Sequence, residues 1–364
     1  MRLTSVEVIP YALPFRRPYV TARGRLEQRE MVLLRLRDED GLVGLGEAVP
    51  LSLRGGVGLA EVVAELEALS ELEKLEEAAI RELVLSAPAR CAALTALLDL
   101  RGRAAARSPF PPPGEGNGDH PPGSEAMAAA GGVACNATLI AGEPAAVAAD
   151  AERWAAEGFS TFKLKLGAGD DVGQVEAVRE AVGPAARIRV DANASWDVET
   201  ASRVLAELEP FSIELAEQPV ETLEQLAELA QRTSIPLAAD ESVASLEEAE
   251  RAVTRGACAY TGIKLSKVGG PEQAVEIADL LPAYLSSALD GPVGIAAAAQ
   301  VAQTLHESDR PERLELAHGL ATQRLFASTI AAVECELRDG MLHPPAGPGL
   351  GVEIDEDALR AHRL

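Results

Sequence analysis

Apolar and polar residues alternate along TSVEVIPYAL (4–13), MVLLRLRD (31–38) and LVGLGEAVP (42–50), the last two joined by the turn sequence EDG. Period-two alternation bounded by turn residues predicts an antiparallel meander over residues 1–55. From Leu59 to Ala106 the period changes. LAEVVAELEALSELEKLEEAAIRELV and ARCAALTALLDLRGRAAA place apolar residues three and four apart, which predicts helices. Residues 108–132, SPFPPPGEGNGDHPPGSEAMAAAGG, carry no period and are rich in Pro and Gly, so a long loop or linker is expected there. His120 within it reads as a solvent-exposed loop residue.

A different pattern follows. Eight β-rich runs, VACNATL, STFKLKL, RIRVDAN, SIELAEQP, IPLAADES, YTGIKLS, AYLSSALD and RLELAHGL, begin at residues 133, 160, 187, 212, 235, 260, 283 and 313. Ala/Glu/Leu-rich helical stretches separate them, and the starts lie 23 to 30 residues apart. That length holds one strand, one loop and one helix. Eight such units predict an α/β protein built on a (β/α)₈ TIM-type barrel, since a doubly wound sheet has fewer strands. The expected organisation is an α+β capping domain (1–107), a linker (108–132), the barrel (133–337) and a C-terminal segment (338–364) that returns to the cap.

Charge narrows the function. A net charge of −24 repels nucleic acid and anionic membranes, so neither is an expected partner. No apolar run reaches the roughly 18 residues of a membrane span. Glu7, Pro10 and Pro14 interrupt what would be the apolar core of a signal peptide. Cys91, Cys135, Cys258 and Cys335 form no CxxC pair and read as free thiols of a reducing compartment. A cytoplasmic protein acting on a small molecule is expected, with homo-oligomerisation left open.

The chain has 33 basic residues, of which only five are lysine: Lys74, Lys163, Lys165, Lys264 and Lys267. Four of the five fall in FKLKLG (162–167) and GIKLSKVGG (262–270). A solvated face would accept arginine equally well. Lysine differs in that it can lose its proton near neutral pH and act as a base.

The ends of the predicted strands hold the rest of the chemistry. Lys165, Asp191, Glu217, Asp240 and Lys264 follow one another at steps of 26, 26, 23 and 24 residues. Each therefore occupies the same place in its unit, the C-terminal end of a strand, where barrels build active sites. A lone Asp there commonly caps the next helix, but capping does not put five groups in phase. Three converging carboxylates need a cation, and an all-oxygen set suits Mg²⁺, with Mn²⁺ as a substitute. Lysines on either side of such an ion suit removal of a weakly acidic proton next to a carboxylate. Lys163 shares a strand face with Lys165, so its charge, with the dication, is expected to lower the pKa of the base. Asn193 and Glu241 are placed beside the ligands as supporting partners. Lys267, three residues past Lys264, is expected outside the site or at its rim. His306, His318, His343 and His362 have no metal-ligand spacing.

The GLGEAVP strand followed by KLK, DAN, EQP, DES and IKLSKVGG resembles the enolase superfamily along nearly the whole chain. Lysines on the second and sixth strands are similar to its muconate-lactonizing-enzyme subgroup; the seventh run, AYLSSALDGPVG, lacks the histidine of the mandelate racemase subgroup. TARGRLEQREMVLLRLRDEDGLVGLGEAVPL and LSSALDGPVGIAAAAQ resemble the o-succinylbenzoate synthase family within it. That resemblance implies a Mg²⁺-dependent dehydration of menaquinone biosynthesis. Lys165 would take the proton α to the substrate carboxylate and return it to the departing hydroxyl, while Lys264 would steady the intermediate. Asp191, Glu217 and Asp240 would hold the metal. Arg29, or Arg23 or Arg25, would meet the succinyl carboxylate, and Ser286 and Ser287 would bind the substrate tail. The alternative implied by the subgroup is a dipeptide epimerase or N-acylamino acid racemase, with Lys165 and Lys264 as opposed bases and Asp290 placed for a substrate ammonium.

Overall fold

The computed structural model describes residues 2–21, 24–51, 56–71, 77–83, 85–110, 131–167, 169–306 and 316–364. Arg23, His120, most of 108–132 and the start of the eighth β-rich run lie outside the described residues.

Three antiparallel strands, β1 (Leu3–Thr21), β2 (Gly24–Asp38) and β3 (Val43–Ala48), form the cap sheet in the order β1-β2-β3. The first is longer than its alternation predicts and runs through Pro10 and Pro14. Both prolines are tolerated because β1 is an edge strand. Its outer edge is covered by the C-terminal part of the chain: Leu364 N–H donates to Pro10 O (3.0 Å) and Ala327 N–H to Pro14 O (2.8 Å). Helices at 59–67 and 87–104 lie against the sheet, and the helix at 77–82 packs on the latter. The last is buried along most of its length and packs on both the cap and the barrel.

The barrel strands run parallel from β5 (Ala137–Leu139), which follows the short β4 (Val133–Ala134), through β6 (Thr161–Lys165), β7 (Arg187–Asp191), β8 (Ile213–Glu217), β9 (Leu237–Ala239) and β10 (Tyr260–Ile263) to β11 (Ala283–Leu285). They form one seven-stranded sheet in chain order. The eighth place is filled by two isolated parallel bridges, Ser286 to Gly319 on one side and Cys135 to His318 on the other, which join the sheet's two ends. Inside the barrel, Arg189 is fully buried, paired with Glu214, and stacked 4.9 Å from the ring centre of Tyr284. Leu215, Ala238, Tyr284 and Leu316 pack together as a separate interior cluster. Side chains thus fill the barrel's floor and leave only its C-terminal mouth open to chemistry.

One buried contact ties cap to barrel. Glu47 on β3 accepts from Tyr11 Oη (2.8 Å) and from the Gly291 N–H (2.6 Å). Burial, reinforced by the nearby charge of Asp290, pushes its carboxyl up to about 7. An unfolded glutamate releases its proton near pH ~4.3. Between that pH and about 7 the folded chain holds a proton that the unfolded chain has lost. Stability therefore falls as pH rises through this window, by on the order of 3 kcal/mol, and levels off above it. Melting temperatures at pH 5 and pH 8 should differ less for Glu47→Gln than for the parent. An unchanged pH dependence would remove Glu47 as its source.

Candidate functional site

Strand register brings the predicted groups together. Lys165 and Asp191 are paired across β6 and β7, and Asp191 and Glu217 across β7 and β8. Glu217 pairs with Ala238 on β9, and Asp240 follows two residues later. Lys264 stands immediately past β10. β6 and β10 lie four places apart around an eight-place ring, so Lys165 and Lys264 approach the mouth from opposite sides. The mouth encloses a cavity of about 400 Å³, with Lys163, Lys165 and Lys264 on its wall.

The carboxylates are fully buried and their charge is met by lysine. Lys163 Nζ lies 2.8 Å from Asp191 Oδ2 and 2.6 Å from Glu217 Oε1. Lys165 Nζ donates to Asp191 Oδ2 (2.5 Å) and to Asn193 Oδ1 (2.9 Å). Lys264 Nζ pairs with Asp240 Oδ2. Two lysines on one face thus share one carboxylate oxygen. The expected depression of Lys165 is outweighed: burial pulls its pKa down, Asp191 pulls it up, Lys163 pulls it down, and the net shift is upward. Burial alone would raise Asp191, but Lys163 and Lys165 together hold it well below the usual carboxylate range.

Among the described residues, no three His, Cys, Asp or Glu side chains form a ready cation cage. Each of the three carboxylates is turned onto an ammonium group instead. The donor set nonetheless fits a hard dication: three buried carboxylates on neighbouring strand ends, with no sulfur or imidazole among them. Binding would exchange the carboxylates' ammonium partners for the ion.

A supporting layer surrounds them. Asn193, at φ 48°, receives Lys165 on Oδ1, gives its N–H to Asp191 Oδ1 (2.9 Å) and reaches Glu241 Oε1 through Nδ2 (3.2 Å). Its left-handed backbone turns the amide back onto the strand end it follows. Asn193 and Glu241 thus link the end of β7 to the loop after β9. Two partners carry no sequence signal. Tyr284 Oη donates to Glu217 Oε2, and burial together with Glu217 holds its phenol far above the ordinary range, so it remains a donor. Gln218 Oε1 accepts the Asp240 N–H (2.8 Å).

Lys267 corrects its expected place. Residues 265–268 form one helical turn, which carries Lys267 back over the strand end. Its Nζ lies 2.9 Å from Asp240 Oδ1 and 3.0 Å from Gly262 O, on the cavity wall.

The substrate-facing candidates separate. Arg29 is buried on the cavity wall and bridges cap to barrel through Pro50 O (2.7 Å) and Ala288 O (3.1 Å). Its Nε has no hydrogen-bond partner among the described residues. Arg25 instead pairs with Glu27 on the surface, 61% exposed. Ser286 and Ser287 both line the cavity. The Ser287 hydroxyl is held by Asp290 Oδ2 (2.7 Å). Asp290 does not reach the cavity wall. Its oxygens accept from Ser266, Ser287 and the Ala288 N–H, so it fastens the turn after β11.

Comparison with known proteins gives this geometry a family. The model of the mandelate racemase/muconate lactonizing enzyme N-terminal domain matches residues 3–109, and the enolase C-terminal domain-like model matches 146–358. An o-succinylbenzoate synthase from Thermobifida fusca is 38% identical over 214 residues, covering 56% of this chain and 63% of that protein. Muconate cycloisomerase 1 from Acinetobacter baylyi is 28% identical, covering 99% of each chain. A structure of muconate lactonizing enzyme from Pseudomonas fluorescens, complexed with muconolactone, superposes with a TM-score of 0.87 at 27% identity, covering 100% of this chain and 99% of that one. A dipeptide epimerase from Enterococcus faecalis, complexed with Mg and L-Leu-L-Tyr, gives 0.83 at 25% identity, covering 97% and 100%. With both of its domains matched, the chain belongs to the enolase superfamily, in the muconate-lactonizing-enzyme subgroup.

Proposed function

We propose that the protein is an o-succinylbenzoate synthase, a Mg²⁺-dependent carbon–oxygen lyase. The observation that carries this reading is the charge of the cavity wall. Among the described residues, Arg29, Lys163, Lys165, Lys264 and Lys267 line it with Glu221 and Glu241, and the carboxylates that offset the lysines, Asp191, Glu217 and Asp240, are the groups that would turn to Mg²⁺. Such a wall suits a substrate with two carboxylates better than a zwitterionic dipeptide. The identity of 38% to an o-succinylbenzoate synthase supports the same choice.

Asp191, Glu217 and Asp240 would hold Mg²⁺. Bound there, the ion would supply positive charge to the carboxylate that becomes an enediolate and relieve the lysines of carboxylate charge. Lys165 Nζ, neutral at that stage, takes the proton α to the ring carboxylate. The C–H electron pair forms the enediolate. Its collapse builds the C=C bond and expels the β-hydroxyl, which leaves as water with the proton that Lys165 returns. Lys264, from the opposite side, keeps its proton and stabilises the anion by charge. Arg29 takes the distal carboxylate. Asn193 holds Lys165 through the 2.9 Å contact already present.

The opposed lysines also suit two-base epimerisation, and a hydrophobic dipeptide epimerase from Enterococcus faecalis is 28% identical over nearly the whole chain. Three substrates separate the readings: the cyclohexadiene precursor of o-succinylbenzoate, cis,cis-muconate and a hydrophobic dipeptide, each assayed with Mg²⁺. The expected result is a kcat/KM for the diene at least tenfold above the others. A dipeptide or muconate preference would overturn the synthase assignment while leaving the lysine site intact.

A further inference from the structure

A second cavity, of about 520 Å³, lies outside the catalytic one, between β1 and the first barrel helix, Pro144–Ala156. Among the described residues, four arginines stand on its wall, Arg16, Arg17, Arg153 and Arg324, with one acid, Glu157. In a chain of net charge −24 this is a local reversal of sign. Phe15, Tyr19 and Trp154 line it as well, three of only twelve aromatic residues in the chain.

The arginines are not equally engaged. Arg324 pairs with Glu157 and lies 5.2 Å from the centre of the Trp154 ring. Arg153 pairs with Asp150. Arg16 and Arg17 are exposed, and their side chains form no ion pair or hydrogen bond among the described residues. Their display has a local cause. The β1–β2 register jumps from Pro14 opposite Gln28 to Tyr19 opposite Leu26, so residues 15–18 face Glu27 alone. A bulge of this kind swings its residues off the sheet. It is pinned to the barrel by the bridge from Phe15 to Phe326 and the stack of their rings at 5.1 Å. Tyr19 stacks on Phe15 at 5.6 Å. Tyr19 and Leu325 line both cavities, so the two are neighbours across one shared wall.

We propose that this groove is a second anion-binding site, which takes a carboxylate with a flat or apolar body and delivers it to the catalytic cavity. Arginines at an opening bordered by low-dielectric aromatic walls raise the local concentration of an anion that the rest of the surface repels. Aromatic faces and guanidinium planes add contact to a flat body. The delivering role rests on the carboxylate substrate of the proposed function; the binding does not.

Binding can be read without turnover. The chain has two tryptophans, so Trp196→Phe leaves Trp154 as the only indole reporter. Phthalate titrated into this variant, at low ionic strength, should change Trp154 emission saturably. The apparent affinity should fall at least fivefold in Arg16→Gln/Arg17→Gln and in 0.5 M NaCl. Absence of saturable change, or a change indifferent to both arginines, would overturn the site, whatever the enzyme turns over. Inorganic phosphate binding as tightly as phthalate would overturn the role of the aromatic wall. In turnover of the diene, Arg16→Gln/Arg17→Gln should lower kcat/KM about tenfold at low salt, leave kcat unchanged, and lose the difference at high salt. Phthalate binding without that kinetic signature would overturn delivery. No turnover of the diene, with binding intact, would sink the synthase reading and leave the anion site standing.

Discussion

Replacing Lys165 with alanine is expected to lower kcat by about 10²–10⁴-fold on the enzyme's own substrate, the usual contribution of a positioned acid–base group. KM should change far less. Lys165 is held by Asp191 Oδ2 and Asn193 Oδ1 at one side of the mouth, where in the proposed reaction it would meet the reacting carbon rather than the distal carboxylate. Lys264→Ala should also be slow, but for a different reason: it removes charge from the intermediate and should leave any slow α-proton exchange measurable in D₂O. Lys165→Ala should show neither turnover nor exchange. Near-parental kcat in Lys165→Ala would exclude it as the base. In an epimerase the two variants would instead each lose exchange on one face only.

Asp191→Asn is expected to cost about 3–5 kcal/mol of stability, because it leaves two buried ammonium groups short of their shared partner. Both Lys163 and Lys165 rely on Asp191 Oδ2, at 2.8 and 2.5 Å. The sign with pH follows from the direction of the shift. Lys163 and Lys165 outweigh burial and depress the folded carboxyl. Its stabilisation is therefore complete above the ordinary unfolded pKa of ~3.9 and is lost as pH falls through the lower folded value. Urea unfolding without added metal should separate parent and variant widely at pH 7 and progressively less below about pH 4. Lys163→Met in the Asp191→Asn background should recover part of the loss, since it removes one stranded charge. Equal stability of parent and Asp191→Asn at pH 7 would contradict the shared-carboxylate arrangement. The same variant should also lose Mg²⁺ affinity by calorimetric titration.

The barrel was readable because its signal is periodic twice over. Strand and helix patterns alternate, and the reactive groups repeat in phase with them, so Lys165, Asp191, Glu217, Asp240 and Lys264 could be aligned without any contact information. Register then carried Lys165, Asp191 and Glu217 side by side. What the one-dimensional pattern missed depends on local turns. Lys267 is three residues beyond a strand end, which reads as distance along the chain. One helical turn cancels that distance and returns it to Asp240. Asp290 looks available after the seventh strand, yet the turn there consumes its oxygens. Tyr284 sits in an apolar run and contacts Glu217 only because the barrel closes. Arg29 and Arg25 have the same parity on β2, but the bulge in β1 lies between their partners, so one is buried and the other exposed. β1 outruns its alternating stretch because the register shift between Pro14 and Tyr19 breaks the period, and an edge covered by the returning tail accommodates its prolines.

The measurement that tests the central claim most directly compares Lys165→Arg with the parent in loss of the diene absorbance, with Mg²⁺ present. Arginine keeps the positive charge but cannot shed its proton near neutral pH. If Lys165 acts as the base, Lys165→Arg is as inactive as Lys165→Ala. Recovery of most of the parental rate by arginine would mean that this position supplies only charge, and the base would have to be sought elsewhere on the cavity wall.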